Sequence, residues 1–157
     1  MKLVKSELIL EDFFIVNSNY NFIEPEKDSS INPKEYIKDY DIDIDFVVRD
    51  IKKEDNKYLV FAKVNVNNME EKLPGYSIFA EAVSIFSFDT STKLNEKQKS
   101  EFLWSSGVSI SINSLRGYLS TMTSFCPLGK YVLPSVDLTT LLNKKRESII
   151  KSSNKKK

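Results

Sequence analysis

Residues Ile110–Leu142 read ISINSLRGYLSTMTSFCPLGKYVLPSVDLTTLL, three physical pieces in a fixed order. In the first, Ile112, Leu115, Tyr118, Leu119, Met122 and Phe125 recur at spacings of three and four, which predicts a helix with one apolar face. The second is a short apolar bridge, Cys126 to Pro134, whose two prolines forbid helix and whose Gly129 permits a turn. The third is a further helix opening behind Pro134, with Ser135 or Asp137 placed to cap it. Gly117 weakens the first helix by about 1 kcal/mol relative to alanine, and close packing against another helix would be one reason to keep it.

Upstream of this block the periodicity changes from that of a helix to that of a strand. Residues 6–23 contain neither Gly nor Pro and predict a long strand, with Leu8, Leu10, Phe14 and Val16 on one face and Ile9, Phe13 and Ile15 on the other. Residues 34–40 suggest a short turn of helix. Asp41-Ile42-Asp43-Ile44-Asp45-Phe46 alternates cleanly, and the charged turn Asp50–Lys57 makes 41–50 and 58–66 a hairpin. Three alternating aspartates can suggest a cation site. On a strand, however, they sit roughly 7 Å apart without the glycine-bent loop that wraps calcium, so a solvated face is the expectation. Tyr76–Phe88 forms a fourth strand, with Tyr76, Ile78, Ala80, Ala82, Phe86 and Phe88 opposite Phe79, Glu81, Val83 and Ile85. Residues 94–104 look helical, and Gly107 with the β-branched run to Ile112 predicts a break before the main helix, capped by Asn113 or Ser114. The last helix is placed at about 137–151, burying Leu138, Leu141, Leu142 and Ile149.

Four strands followed by two main helices define an α+β chain with a four-stranded antiparallel sheet. Its 157 residues suit one domain, placed at 1–151 with 152–157 as a basic disordered tail. The strands are apolar on more of both faces than one helical layer requires, so the second face needs another subunit, a ligand or a client.

The catalytic inventory is thin. With no histidine, triads, imidazole bases and most zinc or copper sites are excluded. The one cysteine, Cys126, sits among Phe125, Pro127 and Leu128, which favours a small buried role over a reactive thiolate. None of the four glycines begins a phosphate loop. No enzyme, cofactor or metal is expected. The opening MKLVKSELILEDFF has charges at Glu7, Glu11 and Asp12 where a signal peptide needs an apolar core, so the simplest placement is cytoplasmic. Lys144, Lys145, Arg146, Lys151 and Lys155–Lys157 make the end basic. Such a segment can touch nucleic acid or anionic lipid, but a solvated one needs no partner, and neither nucleic-acid binding nor membrane insertion is expected.

The helix, bridge and Leu133-Pro134…Asp137-Leu138 step resembles the C-terminal half of the SecB family of export chaperones. Asn19-Tyr20-Asn21-Phe22-Ile23-Glu24-Pro25 is similar to the family's pattern of alternating apolar residues closing on an acidic residue and proline. Together with the element order, the resemblance covers about 10 to 150. It implies an ATP-independent holdase, a homotetramer built as a dimer of dimers with long helices between sheets, holding unfolded or nascent polypeptides in apolar grooves. Phe13, Ile15, Leu59, Phe61, Phe79, Val83 and Ile85, with Trp104 and Tyr131 at the helical edge, are the candidate client-binding residues. Residue by residue, filling the subunit core or a tetramer interface is the competing role. Where the family's acidic residues help dock the SecA motor, this chain has Asn19 and Ile23, and it ends SSNKKK rather than in an acidic or polar tail, which weakens the SecA contact. SecB-like proteins also serve single clients such as antitoxins. The alternative from another class is a small-molecule or lipid-binding protein whose second sheet face lines a closed apolar cavity.

Overall fold

The computed structural model describes residue 2 and residues 4–26, 32–51, 56–68 and 70–154. Four antiparallel strands, β1 (Leu8–Ile23), β2 (Ile42–Asp50), β3 (Lys57–Val66) and β4 (Gly75–Phe88), form one sheet in the order β1-β4-β3-β2. A 3₁₀ helix (Pro33–Asp39) lies on the path from β1 to β2, at the opposite edge. Three helices follow: α1 (Glu96–Phe102), α2 (Val108–Met122) and α3 (Leu138–Asn154). The architecture is thus α+β, a sheet with a helical layer on one face, as the periodicities predict. The middle of the charged turn, 52–55, and the end of the basic segment, 155–157, lie outside the described residues. Helix α3 runs past the expected end at Lys151 to Asn154, so the start of the expected disordered tail is helical.

Alternation on β3 and β4 builds the core. Val60, Ala62, Val64 and Val66 share one face with Tyr76, Ile78, Ala80, Ala82 and Phe86, all close to fully buried. Leu115 and Leu119 of α2 cover one half of that face, while Leu103, Val108 and Ile112 cover the other. A buried hydroxyl pair, Ser84 Oγ to Ser111 Oγ at 2.7 Å, joins sheet and helix between the two halves.

Three local expectations are corrected. The break before the main helix does not occur: a π-helical turn, Leu103–Gly107, carries α1 directly into α2. Val108 and Ile112 fill the core beneath this junction, so tertiary packing outweighs their modest helix propensity. Asn113 is no cap; its side-chain amide donates back to the Ser109 carbonyl. Second, α2 ends at Met122, and Phe125 is fully exposed instead of continuing the apolar face. Third, β1 does not alternate uniformly. Its register with β4 shifts between Leu10 and Asp12 and again between Ile15 and Asn17, leaving Glu11 and Val16 as extra residues. Each bulge turns the following side chains to the other face. Phe13 and Ile15 therefore lie opposite Ser84 and Ala82, on the helix side, and Phe14 opposite Val83, on the outer side.

The bridge is held by side chains. The Tyr76 hydroxyl donates to the Gly129 carbonyl at 2.7 Å and accepts from the Leu128 amide at 2.8 Å. The Thr123 hydroxyl oxygen accepts from the Tyr131 amide at 2.7 Å. Behind it, the Tyr40 hydroxyl accepts from the Tyr76 amide and donates to the Pro74 carbonyl. Gly75 sits under that hydroxyl with φ +109°, where a Cβ would come within 2.0 Å of the oxygen, so only glycine fits. Asp137 caps α3, accepting from the Thr140 amide and hydroxyl.

Candidate functional site: the outer face of the sheet

Residues directly opposite one another on antiparallel strands share a face, so the pairing sets out the surface turned away from the helices. One row crosses all four strands, Phe14–Val83–Phe61–Val47. The next reads Asp12–Ile85–Leu59–Arg49. On the other side lies Asn17–Glu81–Lys63–Asp45. Six apolar side chains, Phe14, Val47, Leu59, Phe61, Val83 and Ile85, thus meet in one patch with charges on both borders. Phe14 is 43% exposed and Val47 38%, so the patch is open to solvent at its two edges, while Val83 between them is buried at 5% and Leu59, Phe61 and Ile85 are partly buried. It does not line the closed cavity that a small-molecule carrier would need.

The rim is electrostatically settled. The Arg49 guanidinium lies 5.4 Å from the centroid of the Phe61 ring, a cation–π contact at the edge of the patch. Lys63 pairs with Asp45 at 3.9 Å, and Lys145 of α3 hydrogen-bonds the same carboxylate. Burial opposes charge on Asp45. The Lys145 hydrogen bond, the Phe46 amide and the nearby lysine charges outweigh it and hold the carboxyl below the usual range. Lys57 pairs with Glu11 at 3.4 Å beyond Leu59. The second aspartate expected on this face, Asp43, stays exposed.

Of the residues that the sequence nominated, Leu59, Phe61, Val83 and Ile85 come together. Phe79 does not join them: it lies beyond the charged row, between Asn19 and Asn65. Phe13 and Ile15 pack against the core, because the bulge at Glu11 reverses their face. Trp104 sits on the helical side, edge-on to Phe46 at 5.2 Å and under the Arg146 guanidinium at 5.9 Å. Tyr131 is 2% exposed beside Tyr40 in the core, its hydroxyl without a hydrogen-bond partner among the described residues and its pKa raised by burial. Sequence reasoning missed Phe14 and Val47. Val47 was legible as the one apolar residue on the outward face of β2; Phe14 was hidden by the bulge.

No protein-family model matches the chain, and no curated protein matches its sequence. Among solved structures it is similar to the Mycobacterium tuberculosis SecB-like chaperone Rv1957, in complex with a ChAD peptide from the Rv1956 HigA1 antitoxin. The TM-score is 0.58 over 83% of this chain and 91% of that one. The fold is SecB-like. With 11% identity, the likeness speaks for the fold alone. A protein of unknown function from Streptococcus agalactiae overlaps 84% of this chain and 100% of that one at a TM-score of 0.36 and 8% identity, too distant to carry an argument. Among the described residues, no helix is long and apolar enough to cross a membrane.

Proposed function

We propose that the chain is an ATP-independent holdase that binds unfolded or nascent polypeptide segments on the outer face of its sheet. The observation that carries this reading is the row Phe14–Val83–Phe61–Val47, an apolar strip exposed at Phe14 and Val47 with a charged rim. An apolar centre ringed by polar groups is the anatomy of a binding surface. A six-residue strip is small beside the area that a stable subunit interface buries, which suits segments that come and go. Apolar side chains on an extended client would settle on the strip without any demand for a particular sequence. The protein acts by binding alone, with no turnover and no cofactor. The SecB-like fold and a neighbour solved with an antitoxin peptide support polypeptide clients.

The client is a single dedicated partner, such as an antitoxin, or a range of export substrates held in the cytoplasm. Asn19 and Ile23, standing where the family's acidic residues dock SecA, argue against SecA docking. Assembly into a tetramer would use the solvent side of α2, where a side chain at Gly117 would meet nothing within 4 Å, with Phe125 fully exposed in the turn just past its end.

Light scattering with and without a reduced, unfolded client tests this reading. A complex with the wild type, weakened at least about tenfold by Phe61→Asp, is the expected result, since a charge at the centre of an apolar contact is strongly disfavoured. A wild-type protein whose mass ignores every unfolded client would refute it. Circular dichroism of the variant separates lost binding from lost fold.

A further inference from the structure

Charge is segregated along this chain. Residues 138–157 hold seven lysines and arginines against Glu147 alone, a net of +6 within a total of +1, so residues 1–137 sum to −5. Four of these seven cations, Lys144, Lys145, Arg146 and Lys151, lie on α3, and the helix is fastened to the body near its middle. Lys145 hydrogen-bonds Asp45 at the β2 edge, and Arg146 covers the Trp104 ring. Residues i and i+4 share a helix face. Ile149 and Ile150, four positions after Lys145 and Arg146, therefore continue the face that meets the body, one turn beyond its fastening points. They are 44% and 61% exposed, and 147–152 is exposed throughout. The last stretch, Glu147 to Asn154, extends the helix by about 12 Å.

We propose that this overhanging end of α3 is a peripheral contact for an anionic bilayer surface. Ile149 and Ile150 enter the headgroup region, while Lys144 and Lys151 meet lipid phosphates. The opposed charges supply the attraction. The paired isoleucines decide the kind of surface: a nucleic acid would satisfy the lysines but leave both apolar side chains in water, whereas a bilayer interface takes both. A second copy is a poorer match, because its acidic body carries its own basic helix. The contact is superficial, since α3 is too short and too charged to span. This inference does not rest on the holdase reading.

Flotation of the full chain with vesicles tests it, comparing phosphatidylcholine alone with an equal mixture of phosphatidylcholine and phosphatidylglycerol. The expected result is flotation with the anionic vesicles only, lost in about 0.5 M salt as charges are screened. Replacing both isoleucines (Ile149→Ser with Ile150→Ser) should weaken binding about tenfold, and Lys151→Glu, at an exposed position, should also weaken it. Three outcomes would overturn the proposal: equal flotation with neutral vesicles, an isoleucine variant that floats like the wild type, or an isoleucine variant whose solution mass falls without lipid. The second would leave charge alone as the attraction and point to nucleic acid. The third would assign the isoleucines to a second copy.

Discussion

The two faces of β3 carry nearly the same kind of side chain and meet opposite fates. Tyr58, Val60, Ala62, Val64 and Val66 are buried beneath the helices, while Leu59 and Phe61, alternating with them, stay half exposed. Alternation alone would classify both faces as apolar. What separates them is the single helical layer: α1, the π turn and α2 cover one side, and no equivalent layer among the described residues covers the other. The inner face is committed to folding and the outer face is left for association. Substitutions on the two faces should therefore divide into those that lower stability and those that lower binding.

The largest effect on stability belongs to the inner face. Ile78→Ala, at a fully buried position, should cost about 2–4 kcal/mol, read as a lowered urea midpoint with client binding preserved in the folded fraction. A loss below about 1 kcal/mol would mean that the helical layer collapses readily, and the contrast between the faces would weaken. Next comes Tyr76→Phe, which removes the hydroxyl that bonds both the Gly129 carbonyl and the Leu128 amide. It should cost about 1–2 kcal/mol. Phe61→Ser on the outer face should cost about 1 kcal/mol or less and yet abolish most client binding. If it destabilised as much as Ile78→Ala, the outer face would be part of the folding core.

The smallest effect is the acid response of Asp45. Its carboxyl is held below the ordinary value of 3.8, so its contribution is present above that value and disappears as the pH falls through the depressed one. With a third of the side chain exposed, about 0.5 kcal/mol is the expected size after solvent screening. It should appear as a fall in urea midpoint between ~pH 5 and ~pH 2.5 that is larger in the wild type than in Asp45→Asn, since Glu11, Asp89 and Asp137 are depressed in both.

The same comparison explains what could be read in advance. Strands β2, β3 and β4 were legible because each keeps a two-residue period and is bounded by charged or turn residues. The Asp137 cap was legible as one of two candidates, and the bridge through its prolines. The face assignment of β1 was not legible: an extra residue such as Glu11 leaves composition and length almost unchanged while reversing everything after it. The continuous helix through Leu103–Gly107 was hidden for a different reason. Glycine and β-branched residues argue for a break by propensity, and only the packing of Leu103, Val108 and Ile112 against the sheet overrules them. Four of the nine nominated site residues reached the outer patch. Phe13 and Ile15 were displaced by the bulge, Phe79 by the charged row, and Trp104 and Tyr131 by burial or partial burial among the helical and bridge elements.

The hydroxyls beneath the bridge leave a signature in time as well as in space. The stretch from Cys126 to Pro134 belongs to no helix or sheet, so its amides would ordinarily exchange with solvent deuterium quickly. Two of them, Cys126 and Gly129, bond carbonyls three residues back within the turn, and two are bonded from below, Leu128 to the Tyr76 hydroxyl and Tyr131 to the Thr123 hydroxyl. The last two should remain as slow-exchanging protons, released when the Tyr76 end of the sheet opens. Their exchange rates would then time the opening of that end of the molecule from a segment with no regular structure of its own.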